Sequence, residues 1–318
     1  MSFLDRLWAY GQWARHVGGE VLSNLFGGSR VSSSAILRQV EGRPVAIVTG
    51  GTGTLGEAVC RQLAAKGYRV VLTTTKLERC SRALKKLGGT SVDHQCYELE
   101  LRSRDCIESF LRSMKKFEIK LLVNNAASAS PPGIFGINFS STVVLTRGLL
   151  PSLGRRGRIV NVSSSSHLRA LSGDMLVGDN QNSSRSYAAS KLALLHFSRA
   201  LRENGYDVVD VHPGLIWSPL MSNTLPKPLR DAVELVKDLI CVTPQNAAAV
   251  VDLATSAVVP EGHYLTHRGN TRVSKAATDP SPWNALELSV REMNNKPAKT
   301  VTPRLITLKV ASVSVDLS

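Results

Sequence analysis

From Val45 onward, continuous apolar runs and stretches of helical periodicity alternate along the chain. Val45 to Val48, Val70 to Leu72, Cys96 to Leu99, Leu121 to Val123, Arg158 to Val162 and Val208 to Val211 read as short strands. Between them, apolar positions recur at helical spacing over Leu55 to Lys66 and residues 77–87, 104–117, 135–150, 185–203 and 244–256. A strand with one face in water alternates polar and apolar residues. These runs do not, so both faces of each strand must be covered. Strands separated by helices then predict the α/β class, a doubly wound parallel sheet in a single domain. The alternation continues to about residue 265, and the domain is expected over residues 43–294. Residues 1–42 read as an amphipathic segment and polar linker, and 295–318 as a loosely ordered tail.

The amphipathic segment is open to three readings. Phe3, Leu4, Leu7, Trp8, Ala14, Val17, Val21, Leu22, Leu25 and Phe26 recur at near-helical spacing, with Arg6, Arg15 and His16 among them. Such a helix can lie on a membrane surface. The scarcity of acids, with Arg30, Arg38 and the serines at 32–34, also fits a cleaved mitochondrial transit peptide. The third reading is a helix packing on its own domain. No stretch of the chain reaches the roughly 20 apolar residues a bilayer span needs.

Composition narrows the partners. Of 318 residues 43% are hydrophobic and 20% charged, enough for a sizeable core, and the formal net charge is +14. An acidic partner must be considered, but the basic residues are scattered, and Arg155, Arg156 and Arg158 form their densest cluster. No RNA-binding or zinc-finger signature accompanies them, so a solvated surface and no nucleic-acid partner are expected. The five cysteines, at 60, 80, 96, 106 and 241, form no C-x-x-C pair and no Cys/His metal spacing. They read as free thiols in a reducing compartment, and no metal is expected.

Two segments carry chemistry. The first runs from the Val45 strand through Thr49, Gly50, Gly51, Thr52, Gly53, Thr54 and Leu55 to Gly56. Glycines permit a tight turn and close backbone approach, and the helix that follows offers unpaired N–H groups to a pyrophosphate. Placed between a first strand and a helix, the loop is the dinucleotide-binding signature of a Rossmann fold. An acid closing the second strand would hold the ribose 2′-OH of NAD. Here Thr73, Thr74, Thr75 and Lys76 stand instead. Hydroxyls and a cation suit the additional 2′-phosphate of NADP(H), and NAD(H) is the less favoured cofactor. Alternatively, Lys76 merely opens a solvent-exposed helix.

The second segment holds Tyr187 and Lys191, four residues apart and so on one face of a helix. A phenol of pKa near 10 is a poor acid–base catalyst at neutral pH. A neighbouring ammonium and the positive charge of oxidised nicotinamide favour phenolate and lower that value. Tyr187 can then give a proton to a carbonyl as hydride arrives, or take one from an alcohol. Ser164, just after the apolar strand ending at Val162, can hydrogen-bond the same oxygen.

With these segments in place, the chain resembles the short-chain dehydrogenase/reductase superfamily from about Arg43 to Met293. The matching stations are Thr49 to Gly56, Asn124-Asn125-Ala126, Val162-Ser163-Ser164, Tyr187 with Lys191, and His212-Pro213-Gly214. The resemblance implies a catalytic set of Asn138, Ser164, Tyr187 and Lys191. It implies a cofactor site formed by Gly50, Thr52, Gly53, Thr54, Leu55, Gly56, Thr75, Lys76, Glu100, Leu101, Asn125, Ala126, Tyr187, Lys191, Pro213, Gly214 and Ser218. The Pro213-Gly214 segment would close on the nicotinamide, and Ser218 would bind its carboxamide. The spacing of 23 residues from Ser164 to Tyr187, the run Ser164 to His167, Ser190 to Ala193 and Gly262 to Leu265 are similar to the retinol-dehydrogenase-like branch. That branch implies lipophilic alcohols and carbonyls (retinoid, steroid or polyprenoid-like), peripheral contact with an intracellular membrane through residues 3–26, and room for a homodimer. Mitochondrial and cytoplasmic placements stay open.

The chain departs from the family pattern at Thr54 and Ala127, where glycine is usual, and between Asn125 and Asn138, which stand closer than in relatives. Pro131-Pro132-Gly133 replaces the leading turns of a helix now beginning near Ile134. The shortening is expected to displace Asn138 or loosen the cofactor floor. It keeps a second function in view, a catalytically weak dinucleotide-binding scaffold or sensor.

Overall fold

The computed structural model describes residues 3–25, 44–88, 94–255, 264–266, 269–270, 273–294 and 305–307. Helix α1 (Phe3–Leu25) precedes the alternation β1 (Val45–Val48), α2 (Thr54–Ala65), β2 (Arg69–Thr74), α3 (Cys80–Lys86), β3 (Gln95–Glu98), α4 (Arg104–Met114) and β4 (Ile119–Asn124). A π-helical turn (Gly136–Ser141) leads into α5 (Thr142–Leu153), then β5 (Arg158–Val162), a 3-10 turn (Ser165–Arg169), α6 (Ser172–Val177), α7 (Ser183–Glu203) and β6 (Asp207–His212). The chain continues through α8 (Pro219–Ser222), α9 (Lys227–Ile240), α10 (Pro244–Ala254), β7 (Tyr264–Thr266), β8 (Gly269–Asn270), α11 (Lys275–Thr278), α12 (Trp283–Asn294) and β9 (Leu305–Thr307).

The nine described strands form one sheet in the order β8-β7-β6-β5-β4-β1-β2-β3-β9. The first seven strands in sequence pair in parallel, as the unbroken apolar runs predict, and β8 and β9 add antiparallel edges. β1 shows why alternation is missing. Ile47 feeds one core cluster while Ala46 and Val48 feed the other, on the opposite face. The order reverses direction beside β1, between β2 and β4, which opens a crevice at the carboxyl ends of the strands. All six predicted strands are present. The tail does more than the sequence suggests, since Leu305–Thr307 pairs with Gln95–Tyr97 at the sheet edge.

One expectation changes. The five cysteines are not all free thiols: Cys80 and Cys96 form a disulfide, leaving Cys60, Cys106 and Cys241 free. The short turn after β2 returns the chain so that the start of α3 lies over β3, bringing the two Cα atoms within 5.7 Å. Closing this loop, of sequence separation 16, is worth about 3 kcal/mol on a chain-entropy view. The thiol argument for a reducing compartment falls away with it.

Of the three readings of the N-terminal segment, α1 shows the third and packs on its own domain. Ala9 and Glu20 are buried, Arg6 pairs with Asp174 at 2.9 Å, and the Asn24 side chain donates to the Ile240 carbonyl at 2.9 Å. Its outer side leaves Leu7, Trp8, Tyr10 and Leu22 exposed. No described helix is long and apolar enough to cross a membrane.

Candidate active site

The crevice is floored by the turn between β1 and α2. Gly50 adopts φ +64°, and a Cβ at Gly56 would stand 2.3 Å from the Gly50 carbonyl oxygen, so helix and turn approach to a distance only glycine allows. Gly53 precedes α2 with no side-chain cap, so no side chain competes with an incoming anion for the first-turn amides. Thr54 simply opens the helix, and Leu55 packs partly buried beside the core.

Asn125 and Ala126 lock this turn from β4. The Asn125 side-chain amide donates to the carbonyls of Thr49 at 2.8 Å and Gly50 at 3.2 Å. The Thr49 hydroxyl accepts from the backbone amides of Asn125 and Ala126 at 2.9 and 3.0 Å. On the other side the Thr52 and Thr74 hydroxyls meet at 2.8 Å, and Thr74 also accepts from the Lys76 amide at 3.1 Å. Thr75 and Lys76 stand exposed at the end of β2, with Arg79 on the 3-10 turn that follows. Among the described residues neither Lys76 nor Arg79 has an ion-pair partner, and the β2 terminus carries no acid. Glu100 is turned to its own loop, accepting from the Arg102 amide at 2.9 Å. Leu101 is buried, its carbonyl held by the Ser141 hydroxyl at 2.6 Å.

A second group lies at the ends of β5 and α7. Tyr187 is hydrogen-bonded to the Ser164 side chain. Lys191, one helical turn later, donates to the Val162 carbonyl at 2.7 Å and places its Nζ 5.7 Å from the Tyr187 ring centroid. Burial pushes the Lys191 ammonium down to about 8. Burial likewise pushes the Tyr187 phenol up from its ordinary value, against the lowering effects of the Ser164 hydrogen bond and the Arg169 charge. Sequence reasoning assigned that lowering to Lys191. The cation whose charge acts on Tyr187 here is Arg169, which sits 5.1 Å from the Trp13 ring of α1. No motif marked Arg169, because its relation to Tyr187 comes from the turn after β5.

The shortened segment does not carry Asn138 away. Asn138 is buried on the π-helical turn and donates to the Ser190 hydroxyl at 3.1 Å, next to Lys191. Its amide also holds both backbone groups of Ser128. The helical run does begin at Ile134. Its first amides are capped by Asp179, whose carboxylate accepts from Phe135 and Gly136 at 2.8 and 3.0 Å. That cap replaces what the lost turns would have supplied, and Asp179 was not legible in the sequence. Pro213 and Gly214 are buried just beyond β6, Gly214 at φ +90°. Ser218 caps α8 with its backbone carbonyl, and among the described residues its side chain contacts none of the groups above. Gly262 and His263 lie outside the described residues.

The glycine cradle and the uncapped helix start fit a dinucleotide. The Ser–Tyr–Lys group, at the end of β5 two strands along the sheet from β1, can exchange a proton with a substrate oxygen. The short chain dehydrogenase family model matches residues 44–228. The chain belongs to that family. It is 30% identical over 263 residues to polyprenol dehydrogenase of Homo sapiens, covering 72% of this chain and 78% of the relative. It is 31% identical over 235 residues to retinol dehydrogenase 13 of Mus musculus, covering 65% and 68%. Among solved structures, a closed serine dehydrogenase in complex with NADP+ superposes with a TM-score of 0.54 at 25% identity, over 70% of this chain and 92% of that one. The chain is thus a retinol-dehydrogenase-like member and an NAD(P)-dependent alcohol dehydrogenase/carbonyl reductase.

Proposed function

We propose that this dehydrogenase uses NADP(H) to interconvert the hydroxyl and carbonyl of a lipophilic substrate of retinoid, steroid or polyprenoid type. The observation that carries the reading is the Tyr187–Ser164 hydrogen bond with Lys191 one turn away, at the end of β5 in the sheet whose β1 leads into the glycine turn. The turn from Gly50 to Gly56, with Asn125 and Ala126, would hold the pyrophosphate side. Thr75 and Lys76 would take the 2′-phosphate, and Pro213, Gly214 and Ser218 the nicotinamide side. When bound, NADPH supplies the hydride and NADP+ accepts it. Ser164 and Tyr187 orient the substrate oxygen. In reduction the Tyr187 hydroxyl gives its proton to that oxygen, and in oxidation the phenolate takes the proton back. The Arg169 charge favours the phenolate and so eases the transfer, while Lys191, one turn along the helix, would hold the nicotinamide ribose.

The lipophilic class is supported by the named relatives and by the apolar exterior around α1 and α9. Leu7, Trp8, Tyr10 and Leu22 on α1, and Leu229, Leu235 and Leu239 on α9, are exposed. Such a surface suits peripheral contact with a membrane in which the substrate dissolves. The test is NADPH and NADH oxidation against retinoid, steroid and polyprenoid carbonyls, alongside short water-soluble ketones. NADPH-linked turnover of the lipophilic set is expected. Turnover confined to the soluble ketones, or driven better by NADH, would overturn the proposal.

A further inference from the structure

α1 faces the sheet with two side chains one helical turn apart, His16 and Glu20, and both meet His212 at the end of β6. The Glu20 Oε1 lies 2.6 Å from the His212 Nε2 and 3.2 Å from the His16 Nε2. Each of the three offers one ligand atom, and these atoms all lie within 4.8 Å of one another. Glu20 is 1% and His212 4% exposed, so a formal charge here is largely removed from water. The helix therefore delivers a carboxylate between two imidazoles.

Two imidazole nitrogens and one carboxylate oxygen are a donor set that zinc takes, with a fourth position left for water. We propose that His16, Glu20 and His212 bind a divalent cation of the zinc class, which fastens α1 to the carboxyl end of β6. With metal–ligand bonds of about 2.0–2.2 Å, tetrahedral ligand atoms stand roughly 3.3 Å apart. The His16–Glu20 separation of 3.2 Å is already close to that value, and binding needs the shorter Glu20–His212 contact of 2.6 Å to open. His167 is the next imidazole but is already engaged, its Nδ1 lying 2.7 Å from the Ser164 carbonyl oxygen and 3.4 Å from the Tyr264 hydroxyl. The site has a consequence for the crevice. His212 immediately precedes Pro213 and Gly214, so the cation would hold the N-terminal helix against the root of the segment assigned to the nicotinamide.

The test uses the full chain, stripped with chelator, dialysed and titrated with zinc sulfate, with bound metal measured by mass spectrometry and cobalt(II) as a spectroscopic probe. The expected result is one zinc per chain, a tetrahedral cobalt spectrum and a thermal midpoint that rises with zinc. His16→Ala and Glu20→Gln should each weaken binding by more than about 100-fold, beyond what loss of an outer-shell contact costs. Both variants should also lose the zinc-dependent rise in midpoint. Should Glu20→Gln fail to fold, His16→Ala carries the test, because its side chain is the most exposed of the three. Wild-type protein without stoichiometric zinc, or variants that bind as wild type does, would leave a proton-shared ion cluster in place of a metal site.

Discussion

The side-chain amide of Asn138 grips Ser128 at both ends, its Oδ1 accepting from the Ser128 N–H at 2.7 Å and its Nδ2 donating to the Ser128 carbonyl at 2.8 Å. A segment that has lost its leading helical turns is thus tied down by the residue that the family resemblance places in the catalytic set. Replacing Asn138 with Ala strands these groups and the Ser190 contact, a cost of about 1–3 kcal/mol. Asn138→Ala is expected to melt earlier than wild type and to gain less midpoint from NADPH, as scanned with and without cofactor. An unchanged melt would mean the segment is held by other contacts.

Removing the Tyr187 hydroxyl takes away the proton carrier and the bond to Ser164 but leaves the ring. Tyr187→Phe is therefore expected to lose turnover while NADPH binding, followed by fluorescence titration, changes little. Lys191→Met should damage both, because the ammonium would reach the nicotinamide ribose and also packs over the Tyr187 ring. Wild-type rates in the Phe variant would transfer the acid–base role to another group.

The two ends of the crevice were legible to different depths. The glycine turn and the Tyr187–Lys191 pair are local patterns, a strand–turn–helix and an i, i+4 spacing, so sequence placed them directly. The strands were legible because two-sided burial writes unbroken apolar runs. What sequence could not supply is pairing across distance. Glu20 and His212 meet 192 residues apart, and Asp179 caps a helix from 44 residues downstream of Phe135. Cys80 and Cys96 carry no spacing signature, because their bridge depends on how β3 sits beneath α3. α9 is absent from the predicted helices although its apolar residues recur on one face as clearly as in α4; the structure leaves none of them buried.

Cofactor choice should rest on the end of β2. Lys76 is exposed with no acid beside it on that strand, so Lys76→Glu converts an attraction for a 2′-phosphate into a repulsion. At a surface site this is expected to weaken NADPH by about tenfold, or 1.4 kcal/mol, while NADH binding moves little. Competitive titration of both cofactors on wild type and variant measures it. Equal loss for the two would place Lys76 outside the phosphate site.

The acid limb of stability follows from three buried groups with opposed signs. Burial pushes His167 and His196 each down to about 4 from 6.5. Between those values the unfolded chain binds two protons that the folded chain refuses, so stability falls as pH drops from 6.5 towards 4. Burial pushes Asp210 up to about 6 from 3.8, against its bonds to Arg202 and Ser198. There the folded chain holds a proton the unfolded chain has released, which offsets one histidine. Near pH 5 these three groups leave a net uptake of about one proton on unfolding, or roughly 1.4 kcal/mol lost per pH unit. Asp210→Asn removes the offset, so its slope should approach two protons although the variant starts less stable. Urea midpoints for both proteins at closely spaced values from pH 4.5 to 6 give the slopes. Parallel lines would show that Asp210 does not titrate in this window.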